Sequence, residues 1–309
     1  MSIAIFMDDD SLGHRPPEGH PERPARYEAA KRRLAEPDFA GIARMATPPA
    51  TREMLLRAHP ARYVDALLEA ERPDGFVMLD GDTALGPGST LAALKAAGAG
   101  VAAVDAALSG ARTRAFCLAR PPGHHAEAER PMGFCVFNNV AVAALHAQAA
   151  HGLERVAILD FDVHHGNGTQ AIFWERPSVF FASSHQMPLF PGTGAEGETG
   201  AGNIWNAPLR PGDGGPALRR AWERRLLPAV DAFRPELVIV SAGFDAHRRD
   251  PLAQIEAEAD DFAWITDRIV EIANAHADGR IVAMLEGGYD LVGLMESVAA
   301  HVGALEKGL

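Results

Sequence analysis

The spacing of apolar and polar positions changes repeatedly along this chain. Compact runs of β-branched, aliphatic and aromatic residues at 3–7, 114–118, 156–160, 179–182, 237–242 and 281–285 predict strands buried on both faces. Between them, longer stretches at 24–34, 51–58, 90–108, 139–150, 215–232, 258–275 and 291–307 predict helices. Strands alternating with helices imply a parallel sheet covered by helices on both faces. The run GTGAEGETGAG at 192–202 predicts a surface loop inside the domain. With no fixed-period repeat and no low-complexity linker, residues 1–309 are expected to form one domain.

Sheets of this kind bind ligands beyond the carboxyl ends of their strands. Four predicted strands run there into polar, glycine-containing loops: 114–118 into ARPPGHH, 156–160 into DVHHGNG, 237–242 into GFDAHRRD and 281–285 into EGGYD. Taken singly, each has an ordinary structural explanation as a capping Asp, a solvated His pair or a packing Tyr. Their convergence on one end of one sheet points to an active site.

In DFDVHHGNG, Asp162 and His164 are two apart just after a strand, so they project to the same side. Asp245, after another strand, supplies a plausible third ligand. An oxygen and nitrogen set without thiolate suits zinc or a similar divalent ion, and three ligands leave a position open for water. In RPPGHH, two prolines stiffen the loop and Gly123 permits a turn, so His124 and His125 are presented in a fixed place for proton transfer. Asp160 and Asn167 stand close enough in sequence to the metal motif to orient those rings. Tyr289, after two glycines, offers a hydroxyl to a developing oxyanion.

Composition narrows the partners. Lys plus Arg number 29 against 41 Asp plus Glu, for a formal charge of −12. Such a surface repels phosphate backbones, so nucleic acid is not expected as a partner. Two cysteines make no disulfide framework and suit a reducing cytoplasm. The N-terminus lacks a basic lead and a long apolar run, so neither a secretory signal nor membrane association is expected. The most apolar region, 91–108, is interrupted by Lys95 and Asp105.

Together, RPPGHH, DxDxHHGNG, GFD and EGGY resemble the histone deacetylase superfamily, with related elements from GHPERP at 19–24 to EGGYD. HHGNGTQ and GFCVFNN look like the class II branch; class I members usually carry Asp where Asn167 stands. The resemblance implies the arginase–deacetylase fold, a three-layer α/β/α domain with an eight-stranded parallel sheet. It implies zinc on Asp162, His164 and Asp245, and His125 as general base. His124 would be held by Asp160, Asn167 would sit behind His125, and Tyr289 would polarise the scissile carbonyl. Phe134 and Phe190 would flank a substrate tunnel in which Gly133 leaves room for the stem. Asp82 would hold substrate amides at the rim. The resemblance also implies potassium near Asp160, Asp162 and His164, with Ser183 and the Ser184 carbonyl.

The implied reaction is hydrolysis of an acyl-amine, with N-ε-acyl-lysine side chains or similar small acyl-amines as substrates. Acetylpolyamines are the nearest alternative. There a glutamate gate after the DP dipeptide attracts a distal ammonium; Leu252 occupies that position here, with Arg248 and Arg249 nearby as a further repulsion. Arginase-like hydrolysis with two manganese ions would need a more Asp-rich run than HHGNG. A non-catalytic acyl-lysine binding module would lack Tyr289 or a ligand. Assembly into a homo-oligomer is left open.

Overall fold

The computed structural model describes residues 3–111 and 113–307. Among the described residues there are ten strands and ten α-helices, numbered in chain order. The strands are β1 Ile3–Met7, β2 Ala43–Met45, β3 Val77–Met78, β4 Ala84–Leu85, β5 Arg114–Leu118, β6 Val156–Asp160, β7 Val179–Gln186, β8 Ile204–Leu209, β9 Leu237–Ala242 and β10 Ile281–Leu285. The helices are α1 Pro24–Leu34, α2 Arg52–Leu55, α3 Ala61–Ala70, α4 Ser89–Leu108, α5 Asn139–His151, α6 Asn167–Phe173, α7 Gly215–Ala221, α8 Leu227–Phe233, α9 Ala259–His276 and α10 Leu291–Lys307.

Eight strands pair in parallel in the order β2-β1-β5-β10-β9-β6-β7-β8, and β3 and β4 form a small antiparallel hairpin. Side chains alternate across each strand, and the two faces build two cores. Ile3, Ile5, Phe116, Leu118, Leu159, Val240 and Leu285 pack toward α1 and α7 to α10. Ala4, Phe6, Cys117, Ile158, Ile239 and Met284 pack toward α4 and α5. Both faces of the central strands are therefore dry, which is why those strands read as continuous apolar runs.

The fold is the expected α/β/α architecture, with local differences. The strand expected at 179–182 continues to Gln186, because Ser183 to Gln186 pair with β8. The helix expected over 51–58 is one turn, Arg52–Leu55. That expected over 215–232 holds a π turn, Trp222–Leu226, which seats Trp222 in the core. Helix α4 is long and apolar enough by length and composition to cross a membrane, but 61% of its best window is buried inside the molecule. Its Lys95 ends in ion pairs with Asp8 and Asp10.

Candidate active site

Register brings the carboxyl ends of the central strands level. Asp160 pairs with both Ser183 and Ser241, Leu285 with Ala242, and Met284 with Cys117. The four loops singled out from sequence therefore leave neighbouring strands at one edge. Asp162, His164 and Asp245 meet there, all buried, with one donor atom each within 4.8 Å of the others. His164 Nδ1 lies 3.2 Å from Asp162 Oδ1 and 3.0 Å from Asp245 Oδ2. Those separations approach the edge of a tetrahedron with bonds of about 2.0 Å, and the donor set is the oxygen and nitrogen chemistry of a divalent ion. The residues fit a metal.

The electrostatics agree. Burial opposes a charged His164, but the carboxylates of Asp162 and Asp245 outweigh it and push the ring up to about 10. Burial raises Asp245, with the Asp162 charge adding to the shift. Two buried carboxylates side by side require a positive charge between them.

The remaining oxygens are tied to backbone. Asp162 Oδ2 accepts from Gly287 N at 2.8 Å, and Asp245 Oδ1 from Val163 N at 2.8 Å. Gly287 thus does more than loosen the turn before Tyr289: a Cβ there would overlap Asp245 Oδ2 and crowd Asp162.

The two histidines after β5 lie with ring centroids 4.0 Å apart and planes tilted by 43°. Their partners separate their chemistry. His124 Nδ1 meets Asp160 Oδ2 at 2.9 Å; burial opposes its charge, but Asp162 and Asp160 push it up to about 10. Burial raises Asp160 to about 6, with the His124 charge opposing. His125 Nδ1 meets Asn167 Oδ1 at 2.8 Å. Burial, then the His124 and His164 charges, hold His125 well below the ordinary value, so its ring is neutral.

A cavity of about 220 Å³ opens onto this cluster, lined by Asp82, His125, Gly133, Phe134, His164, Leu189, Phe190, Leu252 and Tyr289. A larger groove of about 700 Å³ beside Trp205 holds no such convergence of acids and histidines, so size does not identify the site. All five residues expected to touch substrate line the smaller cavity, with Leu189 in addition. One expectation gains a second cause and another changes. Gly133, at φ 57°, makes room for the His125 ring, whose Cγ would lie 2.8 Å from a Cβ. Arg248 and Arg249 line a different depression, where Arg248 pairs with Glu258. Asp82 Oδ1 accepts from Gly133 N at 3.2 Å and Thr83 Oγ1 at 3.1 Å, so part of its carboxylate is used within the wall.

Within β7, beside the end of β6, the Ser183 hydroxyl meets His185 Nδ1 at 2.9 Å, and Ser184 Oγ accepts from Trp222 Nε1 at 3.0 Å. Both side chains are therefore already partnered within the protein.

Several supporting residues, most of them inside the quoted runs, have no role assigned from sequence. Glu286 Oε2 accepts from Gly123 N at 2.6 Å and His124 N at 3.2 Å. Arg26, fully buried, donates to Gly288 O at 2.6 Å and Glu286 O at 2.5 Å, and its guanidinium carbon lies 4.7 Å from the Tyr289 ring centroid. Glu22 balances both Arg26 and Arg120. Asp250 accepts from Tyr289 N at 2.6 Å and Leu252 N at 3.0 Å, joining the cavity mouth to the tyrosine turn.

Asp105, His146 and His151 also converge, between α4 and α5. There Arg57 contacts His146 Nδ1, while His146 and His151 bond to the Asp105 carboxylate at 2.6 and 2.7 Å. Ordinary hydrogen bonds account for that trio.

This geometry belongs to a known class. The chain is a member of the histone deacetylase family: the model of the histone deacetylase domain matches residues 20–305. It is 46% identical over 281 residues to the histone deacetylase-like amidohydrolase of Pseudomonas aeruginosa, covering 88% of this chain and 73% of that one. It is 38% identical over 325 residues to the polyamine deacetylase HDAC10 of Homo sapiens, covering 99% of this chain and 48% of the relative. The crystal structure of the HDA15 HD domain superposes with a TM-score of 0.93 at 36% identity, covering 99% of this chain and 89% of that one. Family and relatives support a hydrolase of the deacetylase class.

Proposed function

We propose that this protein hydrolyses the amide bond of N-ε-acyl-lysine side chains, using zinc held by Asp162, His164 and Asp245. The observation that carries the reading is a narrow cavity with Phe134 and Phe190 in its walls, which ends on converged metal donors beside a neutral histidine. An apolar shaft suits a methylene stem, and the polar floor suits the amide.

When bound, the ion supplies Lewis acidity toward the acyl oxygen and makes water more acidic. The protein groups manage protons and charge. His125 accepts the proton as water attacks the acyl carbon, then helps protonate the leaving amine. His124, cationic beside Asp160, supports the negative charge that builds on the acyl oxygen. Burial holds the Tyr289 hydroxyl well above its ordinary pKa, so it stays protonated and donates to the same oxygen. Potassium is proposed beside Asp160, Asp162 and His164 with Ser183 and the Ser184 carbonyl; the register pairing of Asp160 with Ser183 supports it.

Similarity to a polyamine deacetylase favours a second reading, acetylpolyamine hydrolysis. Against it, Leu252 lines the cavity where a carboxylate would add a charge-assisted bond of about 1.5–3 kcal/mol to a distal ammonium. The test is steady-state kinetics on acyl-lysine peptides beside N8-acetylspermidine, with metal content measured on the same sample. A higher kcat/KM for the peptide supports the lysine reading; a much higher value for acetylspermidine replaces it with the second.

A further inference from the structure

A side-chain amide has nearly the same shape whichever way round it sits, yet its two ends give a histidine opposite instructions. Amide oxygen facing Nδ1 calls for a proton on Nδ1 and leaves Nε2 bare. Amide nitrogen facing Nδ1 calls for a bare Nδ1 and puts the proton on Nε2. Behind His125, the Asn167 oxygen faces Nδ1 at 2.8 Å. The other end decides that orientation: Asn167 Nδ2 donates to Glu127 Oε1 at 3.0 Å, with Met132 Sδ at 3.3 Å. An ionised carboxylate accepts and never donates. A reversed amide would set oxygen against oxygen at Glu127, and the weakly accepting thioether imposes no comparable choice.

We propose that Glu127 is a positioning residue for the reaction: through Asn167 it locks His125 in the tautomer that keeps Nε2 free to take a proton. The inference rests on the deacylase reading, in which His125 is the base. Neither Glu127 nor Asn167 lines the substrate cavity. Both line a separate groove of about 560 Å³ with Gln170, Trp174 and Thr193. An amide does not readily pass a proton along, so Glu127 acts by orientation and not as a relay.

The test is a double-mutant cycle on zinc-loaded protein, comparing wild type, Glu127→Ala, Asn167→Asp and the double variant with an acyl-lysine peptide. It is paired with 15N NMR of histidine-labelled zinc-loaded protein, the His125 signals being assigned by difference from His125→Ala. General acid–base catalysis contributes about 10²–10⁴-fold, and the rate follows the fraction of His125 in the active tautomer. Glu127→Ala should therefore lower kcat by about twofold for an even mixture and up to about tenfold if the wrong tautomer dominates, with KM changed by less than about twofold and the loss matching the tautomer fraction read by NMR. Aspartate at 167 is itself acceptor-only, so removing Glu127 in that background should not lower kcat further.

In the NMR arm, wild-type His125 should carry its proton on Nδ1 and Glu127→Ala should show a mixture. An unchanged kcat in Glu127→Ala, equal fractional losses in both backgrounds, or an unchanged His125 pattern overturns the proposal. The NMR arm needs no turnover. If the wild type hydrolyses no acyl-lysine, the functional reading falls while the tautomer result still decides what Glu127 does. If Asn167→Asp does not fold, wild type against Glu127→Ala decides it alone.

Discussion

Gly287→Ala tests how tightly the fold holds the predicted metal donors. The Gly287 N–H donates to Asp162 Oδ2, and its Cα faces both carboxylates. An added methyl would overlap Asp245 Oδ2 and stand 2.6 Å from Asp162 Oδ2, against the 3.4 Å at which ordinary contact begins. Asp162 must therefore retreat by about 0.8 Å and Asp245 by more, or the backbone must shift, whereas metal–ligand distances hold to about ±0.2 Å. Losing an outer hydrogen-bond partner costs roughly 10–100-fold in metal affinity. Moving a donor oxygen itself should cost more, so zinc affinity should fall at least about 100-fold, about 2.7 kcal/mol. Overpacking of this kind costs the fold about 1–3 kcal/mol, within the roughly 5–15 kcal/mol of a typical domain, so the variant should still fold. Competition titration of metal-free protein against a zinc chelator gives the affinity, and thermal melts check folding. Gly41→Ala, with open space around its Cβ, is the control. A folded Gly287→Ala that binds one zinc per chain with wild-type affinity would refute the reasoning.

Asp162→Ala and His164→Ala should each lose bound zinc and turnover together, read by metal analysis and peptide assay; full metal retention in both removes the ligand assignment. His125→Ala should keep the metal and lose turnover. Tyr289→Phe should lower kcat by about 10²–10³-fold at similar KM, and a near wild-type kcat would discard the oxyanion role. Leu252→Glu should shift the kcat/KM ratio toward N8-acetylspermidine by about 10–100-fold, from a charge-assisted bond at the cavity mouth. Glu22→Gln should destabilise the fold by about 3–5 kcal/mol at pH 7, because it leaves Arg26 and Arg120 buried without their carboxylate. Burial alone would raise Glu22, but the Arg120 and His14 charges hold it well below the ordinary glutamate value. Its folded pKa is depressed, so its contribution is fully present above about pH 4.3 and fades as pH falls through the depressed value. Chemical denaturation across that range should show wild type losing more stability than Glu22→Gln.

Apolar runs are legible because the six strands that show them are buried on both faces, and their boundaries hold to within a residue except in β7. Besides the two-residue strands β3 and β4, two strands of the main sheet escape that signal. β2 lies at the sheet edge with Arg44 and Met45 exposed, and β8, at the opposite edge, carries Asn206 and Pro208 in a run too broken to read as a strand. Helix α6 escapes for another reason: its first turn is built from the NGTQ of the metal motif, which reads as loop. At the site, residues within motifs were found because neighbouring positions corroborate one another. Arg26 and Glu127 were missed as lone charged residues whose partners are set by folding, and Glu22 and Asp250 lie inside GHPERP and GFDAHRRD but bond to chain far from their own run. Arg26 and the Gly288 carbonyl are 262 positions apart, a separation no local pattern reports.

The same separations set when an ion can enter. Asp162 and His164 leave β6, while Asp245 leaves β9, more than eighty positions later in the chain. Those two strands pair directly, and each also pairs with another strand of the sheet's interior. The three donors have no reason to share a volume until that pairing closes, because the chain between β6 and β9, which carries α6, β7, β8, α7 and α8, must first be spanned. A nascent chain lacking β9 has two of the three ligands and no cage. An ion held by these donors would therefore join an already folded scaffold, unlike the ion of a small zinc-nucleated module, and stripping it should leave the sheet standing.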